Sequence, residues 1–238
     1  MLSEKLWRGE AVIQFCAAQF VCLCLGMVAA GLLQKFGVNG FKQPEDSGNI
    51  LLGTLCFQGA TWILIPIFLR QHQIGWREAF GLRGPKLNRV LLSAVIFTIV
   101  ILPVAWLFQN ISVSVLTKLG WPPADQTAVA LMAAAKSLWL KIYLGMFAVV
   151  LAPVAEEFIF RGMLFPFVKQ LGWPRLAWLG VNALFALIHF DLAIFVPLFV
   201  FALALTWLYE KTDNLLAPIA AHSLFNAANL VVLFYAPK

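Results

Sequence analysis

The residues able to do chemistry lie in the C-terminal part of an otherwise apolar chain. Glu156 and Glu157 are followed by Arg161 in VLAPVAEEFIFRGMLF. Ionisable groups inside an apolar run cost about 2.5–3.5 kcal/mol each to insert, so they face a cavity or a partner. Glu157 and Arg161 are four residues apart and share a helical face, which lets the guanidinium neutralise that carboxylate. Glu156 is turned away by about 100° and is free to meet something else. Asn182, Phe185 and His189 recur at helical spacing in NALFALIHF, and His222 and Asn226 form an i, i+4 pair in PIAAHSLFNAANL. Each feature has a plainer reading: a buried ion network, a hydrogen-bonded structural histidine, an interhelical His–Asn contact. Brought together they have a chemical meaning. A carboxylate can act as general base on water, a histidine can orient that water, and a His plus an Asn amide can bind the oxyanion of a tetrahedral intermediate. That is amide hydrolysis without a protein nucleophile. Residue chemistry alone also allows a proton-handling cluster.

Other chemistries lack their motifs. The chain contains no HExxH, GxSxG, Walker A or GxGxxG sequence. Ser223 adjoins His222, but neighbouring helical residues point apart. The third histidine, His72, lies among basic loop residues and is expected to be solvated. Cys16, Cys22, Cys24 and Cys56 all fall in apolar runs without CxxC or Cys/His spacing, so no disulfide and no zinc motif is expected of them.

The elements that must position these residues are membrane spans. Of 238 residues 62% are hydrophobic and only 12% charged, against about 25% charged in an average soluble domain. Lipid is the solvent that suits this composition. The expected fold is all-α, one polytopic helical bundle over residues 1–238. Apolar segments at roughly 11–33, 50–69, 90–109, 138–168, 175–190, 192–209 and 214–234 give about seven spans, within a range of six to eight. Asp191 and Pro197 offer the break between the fifth and sixth. Residues 37–49 are a polar, turn-rich connection. IGWREAFGL, after Gln73, suits a short interfacial helix. Residues 110–136 are expected to hold an irregular connection and then a short amphipathic helix. The first apolar run is too long for a signal-peptide core and is expected to be a retained span.

The ordered set of three motifs resembles that of the CAAX protease and bacteriocin-processing (CPBP, formerly Abi) family of intramembrane proteases, which includes the Ras-converting CAAX prenyl endopeptidases. Its pattern of EExxxR, FxxxH and HxxxN on successive spans is met by Glu156-Glu157-x-x-x-Arg161 with Gly162 after it, Phe185-x-x-x-His189, and His222-x-x-x-Asn226. The resemblance covers about residues 140–235; residues 1–139 match only in being hydrophobic. It implies an intramembrane endopeptidase acting on a membrane-associated, prenylated or other peptide. Carried over by position, Glu156 would activate water, His189 would help to hold it, and His222 with Asn226 would form the oxyanion site. Glu157, Arg161, Phe185 and Asn182 would support them. The resemblance implies no cofactor, although Glu156, His189 and His222 could in principle ligate zinc. A non-enzymatic scaffold or immunity protein of the same fold is the alternative, followed by a proton-coupled transporter; the matching broken halves common in transporters are not seen. The expected partners are lipid and a peptide or protein substrate, not nucleic acid.

The net charge of +6 fits the positive-inside bias of membrane loops rather than a nucleic-acid surface. With the N-terminus inside, the inner side takes Lys5, Arg8, Arg70, Arg77, Arg83, Lys86, Arg89, Lys169, Arg175 and Lys211. The outer side takes Lys35, Lys42, Lys118, Lys136, Lys141 and Lys238. The expected location is a prokaryotic plasma membrane with a cytoplasmic N-terminus. An epitope inserted within residues 37–49 should therefore be labelled on intact spheroplasts by an impermeant reagent, and one within 83–86 only after permeabilisation. The reverse pattern would invert the orientation.

Overall fold

The computed structural model describes residues 6–43, 46–82, 87–121, 132, 135 and 137–235. These residues are helical, with turns between helices and no strand among them. The helices are α1 (Gly9–Lys35), α2 (Ser47–Gln71), α3 (Trp76–Ala79), α4 (Leu87–Lys118), α5 (Leu138–Gln170), α6 (174–187), α7 (Leu192–Thr212) and α8 (Leu216–Tyr235). Six of them, α1, α2, α4, α5, α7 and α8, are long and apolar enough to cross a membrane. The chain is thus an integral, multi-pass helical membrane protein.

The boundaries correct several expectations. The segment expected at 175–190 forms α6, whose 14 residues (174–187) reach only about 21 Å against a hydrocarbon core of roughly 30 Å. Asp191 does end the break before α7, as its N-cap: its side chain accepts from the Ala193 N–H at 2.8 Å. Pro197 lies inside α7 instead of in a break. The irregular connection expected from residue 110 begins later, because α4 runs on to Lys118. Nothing between Asn110 and Lys118 breaks a helix. The stop is Gly120, left-handed at φ +80°, where Gly120 N–H donates to Thr117 O and Trp121 N–H to Leu116 O. The amphipathic helix expected within 124–136 falls almost wholly outside the described residues. The short helix expected within IGWREAFGL is a single turn, α3.

The described chain divides into two compact units. In one, Trp7–Gly75, α1 pairs with α2. Gln19 of α1 donates to Cys56 O and Phe57 O, both at 3.1 Å, two carbonyls within a π-helical turn at Leu55–Gly59 of α2. A π turn inserts one residue and frees backbone groups, and the Gln19 amide occupies them. His72 is not a solvated loop residue. It accepts from Arg8 N–H at 2.8 Å through Nε2, its Nδ1 lies 2.7 Å from Phe68 O, and its ring packs on Trp7 and Phe68.

The other unit holds α3 to α8. Val90, Ala94, Phe97 and Ile101 repeat at helical spacing along α4 and pack against Phe201, Leu205 and Leu208 of α7 and Ala217 and Ala221 of α8. The small residues bring backbones close, which matters because lipid removes the hydrophobic drive between helices. Thr98 bridges the seam, donating to Ala94 O at 2.8 Å and toward Ala221 O at 3.3 Å. Near the α7–α8 corner, Leu215 N–H donates to Phe80 O at 3.0 Å, and Lys169 at the end of α5 pairs with Glu210 at the end of α7. Arg77, Lys169 and Lys211 therefore share one end of this unit.

The corner fixes a testable constraint. Gly81 has φ +66°, and a Cβ there would lie 1.8 Å from Asp213 O. Gly120 has φ +80° with nothing within 4 Å of a Cβ. Gly120→Ala should cost only the left-handed strain, about 1 kcal/mol. Gly81→Ala should cost several times more, read as a much larger drop in melting temperature in detergent. Equal drops would mean that the corner yields easily.

Candidate active site

The chemistry-bearing spans are α5, α6 and α8, with α7 behind them. In α5 the Glu156–Glu157 pair lies in a short α-helical stretch, Ala152–Glu157, between two π-helical turns, Phe147–Leu151 and Phe158–Leu164. A third π turn, Ala177–Val181, precedes Asn182 in α6. Such turns widen the helix locally and re-aim the side chains beside them.

Arg161 is the centre of the polar interior. Its side chain is fully buried and NH1 meets Glu157 Oε1 at 2.9 Å, the pairing expected from their spacing. NH2 donates to Ala202 O of α7 at 3.0 Å and to Asn182 Oδ1 of α6 at 3.3 Å; Nε reaches Thr206 Oγ1 at 3.4 Å. The guanidinium also lies over the Phe185 ring, 4.6 Å from its centroid. Thr206 donates to Asn182 Oδ1 at 2.8 Å, and Asn182 Nδ2 donates to Trp178 O at 2.7 Å. One cation thereby ties three helices together.

Both carboxylates meet His222 of α8. Its Nδ1 lies 2.8 Å from Glu157 Oε1, and its Nε2 lies 3.9 Å from Glu156 Oε2. The helical period placed Glu156 away from Glu157, yet one imidazole lies between them and offers each a different nitrogen. The His222 ring is wedged edge-on between Phe185 and Phe201, at centroid distances of 5.9 and 5.2 Å. Glu157 is fully buried, whereas the Glu156 side chain keeps 13% exposure. Glu156 is therefore the more exposed of the two carboxylates. Glu157 Oε2 meets no hydrogen-bond partner, so Oε1 alone orders that carboxylate.

His189 follows α6. Its Nδ1 lies 2.8 Å from Phe185 O, its ring packs 5.1 Å from the Phe185 ring, and it lies within electrostatic range of Glu156. The next residue, Phe190, has φ +51° and is 94% exposed. Asn226, one turn after His222, donates to Ala148 O at 2.8 Å, a carbonyl in the first π turn of α5. A primary amide has two N–H groups, so one remains for a ligand. Among the described residues, no three His, Cys, Asp or Glu side chains converge in a way that could hold a metal ion.

Thr206 and the Ala202 carbonyl were not among the expected site residues. A threonine in an apolar run carries no distinctive signal, and a backbone carbonyl carries none. The neighbour of Asn226 was equally hidden, since it is backbone freed by a π turn.

Helices, composition and site define a class: a multi-pass membrane protein with a buried carboxylate–histidine centre. Residues 137–228 match the family described as type II CAAX prenyl endopeptidase Rce1-like. Over that region the chain is similar to that family, in agreement with the resemblance carried by its three motifs, and the matched family is one of peptidases. A curated relative, UPF0177 protein YxdF of Lactococcus lactis subsp. lactis (strain IL1403), is 27% identical over 173 residues, covering 70% of this chain and 89% of its own length. No solved structure matches.

The ion pair has a measurable consequence. Removing one partner of a buried pair leaves an uncompensated charge and costs about 3–5 kcal/mol. Arg161→Met should therefore melt far below wild type in detergent, and Glu157→Gln combined with Arg161→Met should recover part of the loss. A double variant no more stable than Arg161→Met would mean that the contacts to Asn182, Ala202 and Thr206 matter more than the carboxylate.

Proposed function

We propose that this protein is an intramembrane endopeptidase that hydrolyses a peptide bond of a membrane-associated or prenylated substrate with a glutamate-activated water. The observation that carries this reading is the unequal carboxylate pair around one histidine. Glu157 is sealed in and neutralised by Arg161, while Glu156 faces the same imidazole and remains approachable. Separating two adjacent carboxylates by environment separates their roles.

Glu156 removes a proton from water as the oxygen attacks the carbonyl carbon. The C–O bond forms, the carbonyl π pair moves onto oxygen, and the proton rests on Glu156. On collapse the C–N bond breaks and Glu156 returns the proton to the departing amine, leaving a carboxylic acid and an amine. His189 helps to hold the water. Asn226 offers its second amide N–H to the oxyanion, with His222 one turn away. No step requires a metal, and the reading treats the protein as metal-free. The Rce1-like match supports peptide chemistry. The bacterial relative and the basic residues gathered at one end of the larger unit support a prokaryotic plasma membrane with the N-terminus in the cytoplasm.

The test is cleavage of quenched fluorescent peptides by purified protein in detergent. General-base catalysis contributes about 10²–10⁴-fold, so Glu156→Gln should lose at least a hundredfold in kcat while eluting as a folded species. His189→Ala should lose about tenfold or more. Activity should persist in a strong chelator. Full activity in Glu156→Gln would sink the mechanism; folded wild type inert toward every peptide offered would favour a scaffold of the same fold.

A further inference from the structure

We propose that Asn229 of α8 binds substrate, donating to a backbone carbonyl of a peptide held extended along α8, and that Trp106 of α4 is the positioning residue that aims its amide. This rests on the hydrolase reading above and adds to it how the peptide is laid against the site.

α8 leaves the carboxylate–histidine centre with a row of polar side chains on one face. His222, Asn226 and Asn229 stand at i, i+4 and i+7, within about 60° of one another by the helical period. Both flanks of that face are occupied. On one side Phe225 stacks on Phe201 of α7 at a centroid distance of 4.1 Å. On the other, Leu230 lies against Gly145 of α5, where a Cβ would come 3.6 Å from Leu230 Cδ2. The polar row follows the strip between. His222 meets the two carboxylates at its start. Asn226 then reaches Ala148 O of α5, and Asn229 is met by Trp106 of α4. Asn229 stands about 20 Å along α8 from Leu216, within a hydrocarbon core roughly 30 Å thick.

Trp106 Nε1–H donates to Asn229 Oδ1 at 2.9 Å. An indole nitrogen only donates, so it decides which end of the amide it faces: oxygen toward Trp106, nitrogen away. Asn229 Nδ2 donates to Phe225 O at 3.0 Å, and its second N–H is left over. An unmet donor is costly in an apolar layer, which argues for an acceptor brought by a ligand. A structural tie between α4 and α8 accounts for the oxygen of this amide and leaves that N–H without a purpose. Asn226 is in the same state, with one N–H on Ala148 O and one free. Residues three apart on a helix have Cβ atoms about 5–6 Å apart. Alternate carbonyls on one edge of an extended chain lie about 6.6 Å apart. The two free N–H groups therefore suit the carbonyl that is attacked and the next one on the same edge. A helical peptide has its carbonyls bonded internally, so this pair favours an extended chain.

Cleavage of quenched peptides by the full chain in detergent tests the pairing, with the bond cut by wild type located by mass spectrometry. Two further peptides each carry a trans-alkene in place of one amide. One deletes the carbonyl two residues before the attacked one, the other the carbonyl two residues after it. With wild type, one of the two should lose about fivefold in kcat/KM, the worth of a neutral hydrogen bond, mainly through KM. Asn229→Ala and Trp106→Phe should lose a similar factor on the all-amide peptide and nothing further on that alkene peptide. Variants that weaken all-amide and alkene peptides alike have lost only a structural tie, and that result overturns the proposal. So do variants that match wild type. Should the variants not fold, cross-linking decides. Benzoylphenylalanine at Leu233, one turn beyond Asn229 on the same face, should on irradiation join peptides of the panel to Glu156→Gln protein, and unlabelled peptide should compete. The same group at Trp207, exposed on α7, should not. No cross-link from position 233, or an equal one from 207, overturns the subsite. Cross-links with a wild type that cleaves nothing would sink hydrolysis and keep the subsite. Cleavage with neither the alkene effect nor the cross-link would do the reverse.

Discussion

A single buried guanidinium organises the larger unit of this protein. An arginine in the hydrophobic interior must be neutralised and must find acceptors for its N–H groups. Arg161 meets both demands by drawing in Glu157 from its own helix, Asn182 from α6, and Thr206 with the Ala202 carbonyl from α7. Satisfying one cation therefore sets the approach of three helices. The same contacts hold Glu157, Glu157 holds His222, and His222 faces Glu156. The site is a chain of constraints that begins at a charge lipid cannot solvate.

The π-helical turns belong to the same logic. Two of them bracket the Glu156–Glu157 pair in α5, and one precedes Asn182 in α6. An ideal helix would turn the two carboxylates about 100° apart and give each its own surroundings. Here both reach one imidazole, through different nitrogens. The widened turns also free backbone carbonyls, and an amide side chain occupies them in each unit: Asn226 at Ala148, and Gln19 at Cys56 and Phe57. Irregular backbone in a membrane protein needs such partners, because no water is there to supply them.

The Rce1-like match gains physical content from this arrangement. Of the two carboxylates only Glu156 keeps side-chain exposure, and it stands opposite the His222 imidazole, whose other nitrogen meets Glu157. The curated relative aligns with this chain over 89% of its own length.

By itself the sequence determined the solvent, the helical class and the identity of the polar side chains. A composition this apolar leaves lipid as the only suitable medium, and ionisable residues stand out against it. It also determined the Glu157–Arg161 pair, because an i, i+4 relation lies within one helix and needs no tertiary knowledge. The tertiary structure decided what depends on neighbours distant in sequence. Residues 175–190 have the hydropathy of a span, but a turn before Asp191 ends α6 after 14 residues, shorter than the hydrocarbon core is thick. His72 reads as a loop histidine, yet Arg8 and Phe68 take both of its nitrogens. Thr206 and the carbonyls of Ala202 and Ala148 carry no sequence signal, since what matters is which backbone or hydroxyl a partner helix presents. The unequal surroundings of Glu156 and Glu157 were half visible: the cation could be assigned from spacing, but the shared histidine is a contact across 65 residues of chain, and only helix packing could bring it there.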